Sequence, residues 1–176
     1  VDGCPLAAYL RRLDFPEESH ERFRYCHLAE LGNFLEHLVL DAGWVSSGQL
    51  TIRQQRHAKS TRVGGVEVTI VGRSDACLEG DGGIEVKSVS SEEFSDLRSR
   101  ADTERLRRAH ISQCLTYCYL TDSPRWFLLY VDRNDARYRC FEIKRDVKWE
   151  KERLQELAQT ETSIQTKDPP SPKPSP

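Results

Sequence analysis

The sequence has 176 residues, with 26 Lys and Arg against 28 Asp and Glu for a formal charge of −2, and 38% of its residues are hydrophobic. That length fits one domain, and no apolar run approaches the roughly 20 residues of a spanning helix, which excludes a helical membrane protein; no membrane partner is expected. The near-neutral balance also excludes a histone-like, purely electrostatic nucleic-acid binder, so a phosphate partner would have to meet a local patch.

Cys4, Cys26, Cys77, Cys114, Cys118 and Cys140 lack the paired spacing of a zinc site. With no signal peptide and no disulfide-dense composition, reduced thiols in a cytoplasmic setting are expected. The chain opens at Val1 rather than Met, so its natural start is expected upstream.

In chain order, Leu28 to Ala42 predicts a helix, because Leu31, Leu35, Leu38 and Val39 share a face and Gly43 follows as a stop. It carries Glu36 and His37. From Val66 the period becomes two: Val66, Val68 and Ile70 alternate with Glu67 and Thr69, a short segment follows at Ser74 to Leu78, and Ile84 to Val89 alternates again after a glycine-rich turn. This predicts a meander of three short strands. Glu104 to Leu120 predicts a second helix with Ile111, Cys114, Leu115 and Cys118 as its core stripe, ending before Asp122-Ser123-Pro124. Strands are expected at Trp126 to Val131 and Tyr138 to Ile143, followed by a charged helix from Asp146 to Gln159. The last ten residues hold five of the eight prolines, which predicts one domain over 1–165 and a polyproline-like or disordered tail over 166–176.

The chemistry gathers around Asp75, Glu85 and Lys87. A glycine turn would bring the strands of Asp75 and Glu85 side by side, and strand alternation puts Glu85 and Lys87 on one face with Ile84 and Val86 on the other. Paired carboxylates suit Mg²⁺ or Mn²⁺, and a neighbouring lysine can orient an attacking water or stabilise charge on a phosphoryl group. The same triplet also reads as a solvated cross-strand ion pair. On the helix after it, His110, Gln113 and Tyr117 share a stripe beside the core stripe. Arg98, Arg100, Arg105, Arg107 and Arg108, set against Asp102 and Glu104, give a local excess of three positive charges, a candidate phosphate-backbone surface or else a solvated helix face. A Gln and Tyr that simply satisfy each other is the plainer reading of Gln113 and Tyr117.

Gly72-Arg73-Ser74-Asp75, Glu85-Val86-Lys87 and Gln113-Cys114-Leu115-Thr116-Tyr117 resemble, in order and spacing, the GxxD, ExK and QxxxY motifs of the PD-(D/E)XK nuclease superfamily, in its RecB-like exonuclease branch. Gly32 to Glu36 and Cys4 to Tyr9 resemble the opening helices of that branch. The resemblance covers residues 4 to 143 and implies an α/β fold of α+β type, a restriction-endonuclease-like αβββαβ core with a mixed central sheet flanked by helices. It implies that Asp75, Glu85 and the Val86 carbonyl ligate Mg²⁺ or Mn²⁺, that Glu36 or His37 adds a ligand, and that Lys87 positions water. Gln113 and Tyr117 would support Lys87 or the DNA, and His110 would touch a phosphate or serve as a satisfied structural histidine. The iron-sulfur subset of the branch places three clustered cysteines after the QxxxY helix, where this chain has only Cys140, which argues against a cluster.

The expected activity is Mg²⁺- or Mn²⁺-dependent exonucleolytic hydrolysis of single- or double-stranded DNA ends in recombination, repair or phage DNA processing, alone or in a larger DNA-processing complex. A non-cleaving DNA-end-binding module of the same fold and a structure-specific endonuclease are the rivals.

Overall fold

In the computed structural model, the described residues are 32–37, 40–41, 50–78, 81–97 and 106–167. Residues 32–37 are helical (α1). There follow β1 (Leu50–Arg53), β2 (Arg56–Val63), β3 (Val66–Arg73), β4 (Ala76–Leu78), β5 (Gly83–Val89), α2 (Ser91–Asp96), α3 (Arg108–Thr121), β6 (Arg125–Asp132), β7 (Tyr138–Lys144) and α4 (Val147–Thr166). No helix among the described residues is long and apolar enough to cross a membrane.

The chain divides into two compact units. The larger takes in residues 20–57 and 71–145, the smaller 1–19, 58–70 and 146–176. The larger unit holds a five-stranded sheet in the order β1-β4-β5-β6-β7. Only the β5–β6 pair is parallel, so the sheet is mixed. β6 reads Arg-Trp-Phe-Leu-Leu-Tyr-Val-Asp and is buried along almost its whole length, as a central strand covered on both faces requires. On one face Ile84, Val86, Leu129 and Val131 pack with Leu40 and Ala76 in a buried cluster. On the other, α3 lies against β6 and β7 and sets the Tyr117 ring 5.2 Å from that of Trp126. The architecture is α+β, with a mixed central sheet flanked by helices.

The expected three-strand meander is divided differently. β4 and β5 form the antiparallel pair that the glycine turn predicts, but β3 pairs with β2 in a separate two-stranded sheet. β2, absent from the sequence expectation, reads Arg-His-Ala-Lys-Ser-Thr-Arg-Val, which is too polar to advertise an alternating face. α3 begins at Arg108, and residues 104 and 105 of its expected first turn lie outside the described residues. It ends where expected, at an Asp122 C-cap with φ of 54° that returns its N–H to the Cys118 carbonyl. α2 was not anticipated either. It starts from a capping box, Ser90 and Glu93 each closing on the other's backbone.

In the smaller unit, α4 is capped by Asp146, whose side chain accepts from the Lys148 and Trp149 amides. It runs to Thr166 rather than Gln159. The added turns carry Ile164 and two threonines, Thr162 and Thr166, whose hydroxyls donate to carbonyls one turn earlier.

Candidate active site

β4 and β5 are joined through Gly82 and Gly83. Gly82 has a φ of +84°, and a Cβ there would lie 2.1 Å from the Arg125 carbonyl oxygen, so this tight link admits only glycine. Ala76 pairs with Ile84, which brings Asp75, one residue before β4, level with Glu85. The Val86 amide donates to Asp75 Oδ2 at 2.7 Å and fixes that carboxylate against β5. Lys87 Nζ donates to Glu85 Oε1. The structure thus brings Asp75, Glu85 and Lys87 together, with Ile84 and Val86 turned into the apolar cluster.

Glu85 is 1% exposed. Its Oε2 is buried without a hydrogen-bond partner, and so is Oε1 of Glu36 on α1. A buried carboxylate oxygen left in that state costs free energy that a folded protein rarely tolerates without purpose. The electrostatics agree. Burial pushes the Asp75 carboxyl up to about 6 against the opposing Val86 N–H, and the Glu36 charge adds to the rise. Burial again, followed by the Asp75 charge, pushes Glu85 up to about 8 despite Lys87.

This donor set fits a divalent cation. Two desolvated carboxylates face each other across adjacent strands with a third acidic side chain close enough to perturb both, and positive charge placed there would offset their repulsion. Among the described residues no three His, Cys, Asp or Glu side chains already form a closed cage. Mg²⁺ does not need one, since it is held by one or two carboxylates and keeps several waters.

α3 supplies the neighbouring wall. Gln113 Nε2 donates to Tyr117 Oη at 3.0 Å, and Tyr117 Oη donates to the Arg73 carbonyl at 2.6 Å. These two side chains lock each other and the end of β3, and among the described residues no hydrogen bond links either to Lys87. Gly72 explains how β3 comes so near: a Cβ at that position would lie 3.0 Å from Tyr117 Cε1 and 3.2 Å from Leu120 Cδ1. His110 Nδ1 bonds Tyr130 Oη at 2.7 Å, and burial together with the Lys87 and Arg107 charges holds its imidazole down to about 4. It is a neutral, satisfied histidine at physiological pH. Arg107 pairs with Glu93, and Arg108 is exposed. Arg98, Arg100 and Arg105 lie outside the described residues, as do Cys4 and Cys26. Cys114 and Cys118 are fully buried, in keeping with small core hydrophobes rather than ligands.

Two residues near the site escaped the sequence reading. Ser74 is fully buried, and its Oγ lies 2.9 Å from His57 Nε2. The Ser74 amide donates to the Gln55 carbonyl at 3.0 Å, and the Gln54 amide donates to the Asp75 carbonyl at 2.9 Å. Together with the Tyr117 bond to Arg73, these contacts hold the backbone on both sides of Asp75. A buried Ser in the glycine-to-aspartate motif was the available signal, but its partner lay in the unrecognised β2.

The fold defines an α+β class already represented among solved structures. An alkaline exonuclease (LHK-Exo) from Laribacter hongkongensis matches with a TM-score of 0.64 at 18% identity, over 93% of this chain and 79% of that one. The same enzyme in complex with dAMP matches equally well. The protein SSO0001 matches with a TM-score of 0.55 at 19% identity, over 92% of this chain and 83% of that one. No family model and no curated protein sequence matches the chain.

Proposed function

We propose that this chain is a metal-dependent DNA nuclease of the PD-(D/E)XK superfamily, RecB-like exonuclease branch, that removes nucleotides from DNA ends. The observation that carries this reading is the partnerless, buried Glu85 oxygen level with Asp75 and beside Lys87. The shared fold with an alkaline exonuclease supports it.

Asp75, Glu85 and the Val86 carbonyl would hold Mg²⁺ or Mn²⁺, with Glu36 as a further ligand. Such an ion supplies charge neutralisation at the phosphoryl oxygens and a more acidic bound water. Lys87 follows Glu85 by two residues on the same strand face, so its ammonium orients water toward phosphorus and stabilises the charge that develops there. A new P–O bond forms as the bridging P–O bond breaks, and the departing oxygen takes up a proton. Gln113 and Tyr117 act at one remove, by fixing the β3 end that leads into Asp75.

End-labelled linear DNA and covalently closed circular DNA, each incubated with Mg²⁺, Mn²⁺ or EDTA, test the reading. Cleavage of the linear substrate alone, lost in EDTA, is the expected result. Cut circles would make the protein an endonuclease, and a mobility shift without products would make it a binding module.

A further inference from the structure

The β2–β3 hairpin turns at Gly64 and Gly65, with φ of 57° and 87°, the left-handed pair that a two-residue hairpin loop requires. That loop sets Val63 opposite Val66. The Ser60 Oγ to Thr69 Oγ1 bond of 2.8 Å keeps the same register three pairs further on. At the base of the hairpin the register therefore sets Arg56 directly opposite Arg73, on the exposed face shared with Ser60 and Thr69.

Like charges directly opposite each other destabilise a strand pair. The same hairpin carries the balanced alternative, since Arg62 stands opposite Glu67. Among the described residues neither the Arg56 nor the Arg73 guanidinium has a carboxylate or carbonyl partner, and both are exposed. The pair is also anchored beside the carboxylates. The Arg73 carbonyl is held by Tyr117, and Asp75 follows two residues later, about 7 Å along an extended chain. The Arg73 charge is felt at the Asp75 carboxyl, which it lowers.

We propose that Arg56 and Arg73 form a clamp for a backbone phosphodiester of the DNA strand, next to the one presented to Asp75 and Glu85. This inference rests on the nuclease reading above. Two guanidiniums on facing residues of one exposed strand face can offer paired N–H donors to phosphate oxygens, and a phosphate between them would remove the repulsion of the pair. A DNA strand is the occupant favoured here, because the positive pair leads directly to the site proposed to cut it.

The test is DNA binding in EDTA across a salt series, with cleavage in Mg²⁺ measured in parallel. Arg56→Gln with Arg73→Gln should flatten the slope of log affinity against log salt by about 0.7 on single strands and about 0.9 on duplex, the loss of one phosphate contact. Arg56→Lys with Arg73→Lys should keep most of the slope, because it keeps the charge. Arg125→Gln is the control: that guanidinium is engaged by Asp81 and Glu142, so its loss should leave the slope unchanged. All three positions are on exposed or partly exposed surface, and an unchanged melting temperature verifies folding. Wild-type protein that binds and cuts DNA, together with a Gln double variant that keeps the wild-type slope, overturns the clamp alone. Wild-type protein that neither binds nor cuts overturns the nuclease reading and the clamp with it.

Discussion

Glu85 and Asp132 are buried acids on neighbouring parallel strands, 1% and 0% exposed, and the protein treats them in opposite ways. Asp132 accepts from Ser91 Oγ at 2.7 Å, from the Asn134 amide at 3.0 Å and from Arg137 at 3.3 Å. The Asn134 amide, followed by the Ser91 and Arg137 bonds, holds its carboxyl below the usual range. It ties α2 to the end of β6 and needs nothing more. Glu85 receives one ammonium and keeps an oxygen with no partner, and its carboxyl is pushed up. Burial alone therefore does not mark a functional acid. An incomplete partner set does, because the missing partner has to come from outside the chain.

The largest expected effect comes from completing the contrast by mutation. Glu85→Gln and Lys87→Ala should each lower cleavage by roughly 10²- to 10³-fold or more, the scale seen when one preorganised charge-stabilising group is lost. DNA affinity in EDTA should stay within a few fold of wild type, as a binding assay would show. Glu85→Gln should also leave the melting temperature in EDTA undiminished, since it replaces a buried carboxyl that lacks a full partner set. Asp132→Asn should do the reverse, lowering the melting temperature while leaving the response to Mn²⁺ intact. A fall in melting temperature for both variants would erase the distinction between the two acids.

The distinction should next appear as opposite pH dependence. Asp75 and Glu85 have folded-state pKa values raised above their ordinary ones, so the native state holds protons that the unfolded chain releases. Their contribution is present at low pH and lost as pH rises through about 6 and about 8. Asp132 has a lowered value, so its contribution is present above the ordinary carboxylate range and lost as pH falls through the folded pKa. A divalent cation favours the ionised forms of Asp75 and Glu85, so the rise in melting temperature on adding Mg²⁺ should itself grow between about pH 5 and pH 9. A rise independent of pH would place the ion elsewhere.

Much of this contrast was open to sequence reasoning, and the rest was hidden for identifiable reasons. The alternation of Ile84, Glu85, Val86 and Lys87 assigns each side chain to its face, because a strand has only two. Asp132 falls one residue past the strand expected to end at Val131, and its partners Ser91 and Arg137 come from a short helix and a loop that no periodicity announces. The Ser90-x-x-Glu93 spacing that caps α2 is a capping-box signature visible in the sequence. β2 hid behind its polarity, although Gly64-Gly65 between two extended runs is a hairpin signal in its own right. The QxxxY pair was legible as a motif, but that its hydroxyl would hold the Arg73 carbonyl depends on the Gly72 approach, which only three dimensions reveal.

The smallest expected effect sets the scale for an ordinary satisfied carboxylate. Asp146→Ala removes two capping bonds from α4 and should cost about 1 kcal/mol, measured by urea denaturation, with no change in cleavage. A comparable loss of activity would mean that α4 bears on the site.

The β5–β6 pairing has a consequence for how the molecule comes into being. Ala76 meets Ile84 across a short turn, whereas Glu85 meets Leu128 only after the whole stretch containing α2 and α3 has been threaded between them. Ordering a loop of that length delays its contacts relative to the local hairpin. The two carboxylates can therefore be drawn together early in folding, while the wall that buries them and holds β3 in place closes late. A newly made chain would pass through a stage in which its acids are paired but still wet, and it would acquire their raised proton affinity only when β6 docks.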